Sequence, residues 1–194
     1  MIKVNDVYSI IKGSNNPLSS DVAVIIGQEY NYIYEVGNIE EIVDELNKID
    51  NKAIIISHFH IDHLGNLSKL QYERLFVGDH THKYTKAGEI VEDISIENIR
   101  IFKLSNSHCK GSLCMKVDDY CFVGDGLAPS NVNNQYVYNV QKLKEEIDTL
   151  RKLDIKYIVT SHHMDKPILK DEVISKLITI YNKRQKNNPY ILVD

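Results

Sequence analysis

Ser57-His58-Phe59-His60-Ile61-Asp62-His63-Leu64-Gly65 is the stretch on which the reading of this chain turns. It follows the apolar run Ala53-Ile54-Ile55-Ile56, which reads as a buried strand. Alternate residues of an extended segment point the same way, so His58 and His60 converge on one point. Asp62 and His63 fall where the chain should turn into a helix around Leu64–Leu70, and they face a second point nearby. Imidazole nitrogen with carboxylate oxygen is the ligand set of zinc and its borderline neighbours. Histidines gathered at a strand end beside a carboxylate have no packing reason to be there, and a metal centre explains them.

Two metals need further donors at strand ends on the same rim. The same context recurs three times. His108 follows the strand Ile99–Leu104 and precedes Gly111-Ser112. Asp125 follows the strand Tyr120–Val123 in Val123-Gly124-Asp125-Gly126, and its two carboxylate oxygens suit it to bridge two cations. His162 follows the strand Lys156–Thr160, with His163 as the alternative and His162 preferred. Alone, a Gly-Asp-Gly is a turn and a His after a strand is a surface residue. Their joint arrangement with the first stretch lifts them above that.

The rest of the chain supplies a frame. Val4–Ile11 reads as a first strand, and residues 13–20 as a polar loop. Asp21–Gly27 and Tyr30–Val36 pair as a hairpin around Gln28-Glu29. Asn38 caps a helix over Ile39–Lys48 with Glu40 and Glu41 in its first turn. Tyr72–Val77 and Asn98–Leu104 are strands, and Ser112–Val117 with Tyr120–Val123 form a hairpin turned at Asp118-Asp119. Helices are expected over Tyr136–Leu153 and Asp171–Arg184, with Tyr190–Val193 as a closing strand. The economical arrangement is a two-sheet core with outer helices, one domain over residues 1–194.

Composition narrows the function. The chain of 194 residues is 43% hydrophobic and 26% charged, ordinary for a globular protein. A net charge of -4 gives no general reason to expect nucleic-acid binding. The start, Met1-Ile2-Lys3-Val4-Asn5-Asp6, lacks the apolar segment of a signal peptide, and no run approaches a membrane span. Cys109, Cys114 and Cys121 are odd in number and form no CxxC pair, so free thiols in the cytoplasm are expected. Cys109 beside His108 reads as a small-residue position, and His80 and His82 as surface or pocket-rim residues at a helix start. Tyr84, Tyr136 and Tyr138 are candidate pocket walls, although a core or surface position is the commoner role for each taken singly.

With these residues in view, the chain resembles the metallo-β-lactamase-fold hydrolase superfamily over nearly its whole length. The signature is His58-Phe59-His60-Ile61-Asp62-His63 followed by Gly65, with His108, Asp125 and His162 in the order and contexts of the later ligands. The resemblance implies an α+β fold, a four-layer αββα sandwich with the metals at one edge of its sheets. It implies that His58, His60 and His108 hold one metal, that Asp62, His63 and His162 hold the other, and that Asp125 bridges. It also implies two divalent ions, zinc first, with iron or manganese able to occupy the same geometry. One departure stands out. Glu35-Val36-Gly37 occupies a place where the family often has an Asp before a Gly. The longer acid can still support the metal loop.

The expected activity is hydrolysis by a metal-bridging hydroxide, with Asp62 both ligand and proton shuttle and no Ser or Cys nucleophile. Comparison within the superfamily narrows the substrate. β-Lactamases are exported, and many carry Cys where Asp125 stands. Glyoxalase II-like thioesterases add a C-terminal helical domain for which this sequence has no length. Quorum-lactone hydrolases place Tyr where Ala128 stands, and flavodiiron proteins carry Glu where His60 stands. A small ester, thioester or lactone is the favoured substrate. A phosphodiesterase and a non-catalytic metal-binding regulatory module are the alternatives.

Overall fold

The computed structural model describes residues 1–193. The first half runs β1 (Ile2–Lys3), β2 (Ser9–Ile11), a small hairpin of β3 (Ser14–Asn15) and β4 (Leu18–Ser19), then β5 (Val22–Ile26) and β6 (Asn31–Tyr34). It continues through α1 (Glu40–Leu46), β7 (Lys52–Ile55), α2 (Ile61–Leu64), β8 (Arg74–Val77), α3 (Asp79–Thr85) and β9 (Glu89–Ile90). Apart from the small hairpin, these strands form one sheet in the order β1-β2-β5-β6-β7-β8-β9. The strands from β6 to β9 are parallel, and α1 makes the crossover between β6 and β7 that parallel pairing demands.

The second half runs β10 (Asp93–Ile96), β11 (Ile99–Leu104), β12 (Ser112–Val117), β13 (Tyr120–Phe122), β14 (Ser130–Val132) and β15 (Gln135–Asn139). After these come α4 (Val140–Lys152), β16 (Tyr157–Val159), β17 (Ile168–Leu169), α5 (Lys170–Tyr181) and β18 (Tyr190–Val193). Its main sheet has the order β10-β11-β12-β13-β16-β17, and β14-β15-β18 make a third, small sheet.

Three apolar clusters define the layers. Between the two large sheets lie Ala53, Ile55, Tyr34 and Phe76 from one side and Ile101, Leu113, Met115 and Phe122 from the other. Outside the first sheet, Ile54 and Ile56 pack with Ile42, Val43 and Leu46 of α1. Outside the second, Cys114, Cys121 and Ile158 pack with Leu143, Ile147 and Leu150 of α4 and with Val173 and Leu177 of α5. The run Ala53–Ile56 is apolar throughout because its strand is covered on both faces. The result is the αββα sandwich expected from the sequence.

Several boundaries differ from the sequence expectation. Val4–Ile11 is not one strand. Asn5 Oδ1 accepts hydrogen bonds from the backbone N–H of Val7 and Tyr8 at 2.8 and 3.1 Å, a side-chain turn that separates β1 from β2. The loop over residues 13–20 contains the β3–β4 hairpin. The helix expected over Leu64–Leu70 is α2, starting earlier, and a separate 3-10 turn at Leu67–Lys69. Asn38 does not cap α1, which starts at Glu40 with Ile39 before it. Residues 136–139 are strand rather than helix: β15 pairs with β18, and α4 begins after Asn139, whose side chain accepts from Lys142 N. Tyr136-Val137-Tyr138 consists of good strand formers, and partnership with β18 outweighs continuation of the helical pattern.

Candidate metal centre

Each predicted ligand sits at a strand end. The buried Ser57 and His58 leave β7, and His60 occupies the cap position of α2, which carries Asp62 and His63. In the second sheet, β11 and β13 both lie antiparallel to β12, and β16 is parallel to β13, so their carboxyl ends share one edge. His108, Asp125 and His162 leave that edge, in the loops after β11, β13 and β16 respectively.

The seven predicted ligands fall into two convergent groups. His58, His60 and His108 form one, and Asp62, His63, Asp125 and His162 the other, each with its donor atoms within 4.8 Å of one another. In the first group, His60 Nδ1 lies 2.9 Å from His58 Nε2 and 3.2 Å from His108 Nε2. Three ring nitrogens meeting at one point cannot all be satisfied by protons between them, and a shared cation resolves the arrangement. In the second group, Asp62 Oδ2 is 3.2 Å from His63 Nε2 and 3.3 Å from His162 Nε2. Asp125 spans the two groups: Oδ2 is 3.4 Å from His63 Nε2 and 3.7 Å from His108 Nε2, and Oδ1 is 3.7 Å from His162 Nε2. His63 Nε2 is buried, and among the described residues no neighbour is aligned to hydrogen-bond it. A buried ring nitrogen turned toward two carboxylates without a hydrogen bond is a vacant donor, so the residues present fit a metal.

The second ring nitrogens of His58, His63 and His108 are held from behind. Ser57 Oγ lies 2.8 Å from His58 Nδ1, Glu35 Oε1 lies 3.1 Å from His63 Nδ1, and the Pro129 carbonyl accepts from His108 Nδ1 at 3.4 Å. Such partners fix ring orientation and raise donor basicity. Glu35 is fully buried and sits at φ 67°, a left-handed conformation that a non-glycine residue adopts at a cost. It also accepts from Ser57 N and from Ser161 Oγ. The acid in the unusual position therefore does support the loop. Ser57 and Ser161 escaped the sequence reading, although each immediately precedes a ligand.

The electrostatics favour a cation. Burial, then the neighbouring His63, drive the His58 pKa down to about 2, and burial with His108 lowers that of His60, so both rings are neutral donors. Burial opposes ionisation of Asp62 and Asp125, yet contacts with His162 and His63 outweigh it and keep both carboxylates ionised. Those carboxylates raise His162 to about 9. Burial disfavours charge on His63, but Glu35, Asp125 and Asp62 overcome it and carry its pKa well above the ordinary value. The carboxylates draw protons onto the rings that face them, as they would draw a metal ion.

Residues around the centre complete a rim. Phe59 stacks on Tyr84 with ring centroids 4.3 Å apart and His80 meets both edge-on, while Phe59 also meets the His60 ring at 4.9 Å. His163 is exposed beside His162 in a cleft of about 440 Å³ that also reaches Asp125 and Tyr138. Tyr136 is exposed on β15. The Cys109 thiol is buried and bonded to the Lys110 carbonyl, and burial pushes its pKa up, which leaves it inert.

No family model matches the sequence. The chain is similar to a hydroxyacylglutathione hydrolase of Shewanella loihica, 25% identical over 151 residues. That match covers 68% of this chain, which spans just over half (56%) of the relative. Among solved structures, the metallo-β-lactamase from Pontibacter korlensis superposes with a TM-score of 0.67 at 14% identity, covering 94% of this chain and 98% of that one. The chain has the metallo-β-lactamase fold. The metallo-β-lactamase FIM-1 from Pseudomonas aeruginosa, in its mono-zinc form, also matches at a TM-score of 0.67 and 14% identity, over 91% of this chain and 89% of that one. In this metallo-β-lactamase fold the His/Asp cluster lies at the sheet edge and fits a metal site. No helix among the described residues is long and apolar enough to cross a membrane.

Proposed function

We propose that the protein is a dinuclear metal-dependent hydrolase of a small ester, thioester or lactone. The observation that carries this reading is the convergence of His58, His60 and His108 beside Asp62, His63 and His162, with Asp125 reaching both groups. The mono-zinc form of one structural relative supports zinc as the metal. His58, His60 and His108 would hold one ion, and Asp62, His63 and His162 the other, with Asp125 shared. When bound, such ions lower the pKa of water from 15.7 to about 7 and polarise a substrate oxygen.

The chain's own residues do the rest. Asp62 would both hold the second ion and take the proton of the attacking water, returning it to the leaving group. Ser57 and Glu35 hold the rings of His58 and His63 in register. The Phe59–Tyr84 stack stands against the His60 ring at the edge of the centre.

The test is hydrolysis of ester, thioester, lactone and phosphodiester chromogens by metal-replete protein and by the same protein after chelation. Chelator-sensitive turnover of a carbonyl substrate is the expected result. Turnover of the phosphodiester alone, or two bound metals with no turnover at all, would overturn the proposal. Asp125→Ala should lower bound metal below two per chain and reduce turnover by at least about 10²-fold, given the electrostatic role assigned to such sites. Metal analysis and kinetics on the same sample check both.

A further inference from the structure

Beside the metal cleft lies a second cavity of about 110 Å³. Its walls are Leu127, Tyr138, Ile168, Val173, Leu177 and Ile180. The two spaces share Leu127, Tyr138, Ile168 and Lys176. The cleft reaches Asp125 and His162, so the apolar slot under α5 adjoins the metal centre across these shared walls. The turn that presents Asp125 also presents Leu127 two residues later, and the Leu127 carbonyl accepts the Tyr138 hydroxyl at 2.7 Å. With its hydroxyl committed, Tyr138 offers the slot only its ring. Glu172 and Lys176 stand at the rim one helical turn apart and oppose one another in sign, so the slot has no net preference for a charged occupant.

We infer that this slot binds the acyl chain of the substrate, a short unbranched apolar chain whose carbonyl lies in the cleft at Asp125 and His162. The inference rests on the hydrolase reading and extends it to a substrate class. An apolar cavity of ~150 Å³ accepts benzene, so this one takes about four carbons. With the carbonyl and its neighbouring carbon in the cleft, the best acyl group has about six carbons. Lys176, whose stem lines both spaces, is compatible with an apolar occupant along its methylenes.

The test is a 4-nitrophenyl ester series from acetyl to decanoyl with the metal-loaded protein. kcat/KM should rise about three- to fourfold per added methylene, the ~0.8 kcal/mol of a buried CH₂, and decline once the slot is full. Val173→Phe, which fills the slot, should bring the hexanoyl-to-acetyl ratio close to one. Leu177→Ala should move the optimum to longer chains. A separate readout needs no metal and no turnover. The sequence contains no Trp, so Ile180→Trp places a single tryptophan at the slot, excited apart from the twelve tyrosines at the red edge of the absorption band. Hexan-1-ol should shift its emission, and adding Val173→Phe should abolish the shift. An active enzyme with a flat chain-length profile, or a fluorophore indifferent to hexan-1-ol, overturns the slot. Absence of turnover on every ester, thioester and lactone, with the hexan-1-ol response intact, overturns the hydrolase reading instead.

Discussion

At the scale of single residues, two buried acids illustrate opposite uses of burial. Glu35 is held by Ser57 N, Ser161 Oγ and His63 and turns a strained backbone position into support for a ligand. Glu35→Gln keeps the size and loses the charge behind His63, so metal affinity should fall about 10- to 100-fold, read by competition with a chromogenic chelator. Unchanged affinity would remove Glu35 from the account. Glu146, on α4, is fully buried, and among the described residues neither of its carboxylate oxygens has a hydrogen-bond partner. Burial raises its pKa well above the ordinary 4.5. Below pH 4.5 it is protonated folded and unfolded alike. Above that, only the unfolded chain releases the proton, so the term erodes stability by about 1.4 kcal/mol per pH unit until the folded-state pKa is reached. Glu146→Gln should flatten that decline in urea midpoints measured from pH 4.5 to 8. A decline equal to that of the parent would show that this carboxyl is not the source. His58–His63 was legible in sequence because its chemistry is local. Glu146 was not, since a Glu among Lys144, Glu145 and Asp148 reads as part of a solvated helix face.

At the scale of elements, turns decide where the ligands point. Gly124 has φ +60°, and a Cβ there would stand 2.6 Å from Ser57 Oγ, the atom that orients His58. Gly124→Ala should cost about 1–3 kcal/mol of stability from backbone strain and also weaken metal binding by displacing Ser57. Thermal melts with and without metal separate the two effects, and a variant with the parent's melt in both states would contradict the contact. Asn139 caps α4 from the end of β15, and Asn139→Ala should lower stability by about 1 kcal/mol by denaturant titration. That junction also marks where sequence periodicity misled. Val140, Leu143, Ile147 and Leu150 have helical spacing, and nothing in Tyr136-Val137-Tyr138 itself announces a partner strand more than fifty residues away. The two-residue strands β1, β3, β4, β9 and β17 are too short to leave a periodic signature.

At the scale of the molecule, the centre takes His58, His60, Asp62 and His63 from the first sheet and His108, Asp125 and His162 from the second. A metal bound there would tie the two sheets at one edge, and ligation of the folded form would raise stability by mass action, about 4 kcal/mol at a thousandfold excess over Kd. Chelation should lower the melting temperature of the parent, and Asp125→Ala should shrink that difference. Equal melting with and without metal would mean that the centre does not join the sheets. The layer order was readable from alternating and continuous apolar runs. The slot under α5 was not, because Leu127, Ile168 and Leu177 meet only when the second sheet, its loops and the last helix are assembled.

That division of ligands also orders events in time. Four of the seven donors lie within residues 58–63 and remain neighbours even in an extended chain, whereas Asp125 and His162 are sixty to a hundred residues away. A nascent chain offers a metal ion its first foothold long before the remaining donors exist, and closing the centre waits on the slow, non-local docking of the second sheet. In refolding, the full metal signal cannot precede assembly of the inter-sheet cluster that holds Ile55 and Phe122. Closure of the centre, rather than first contact with an ion, would thus report the docking of the second sheet.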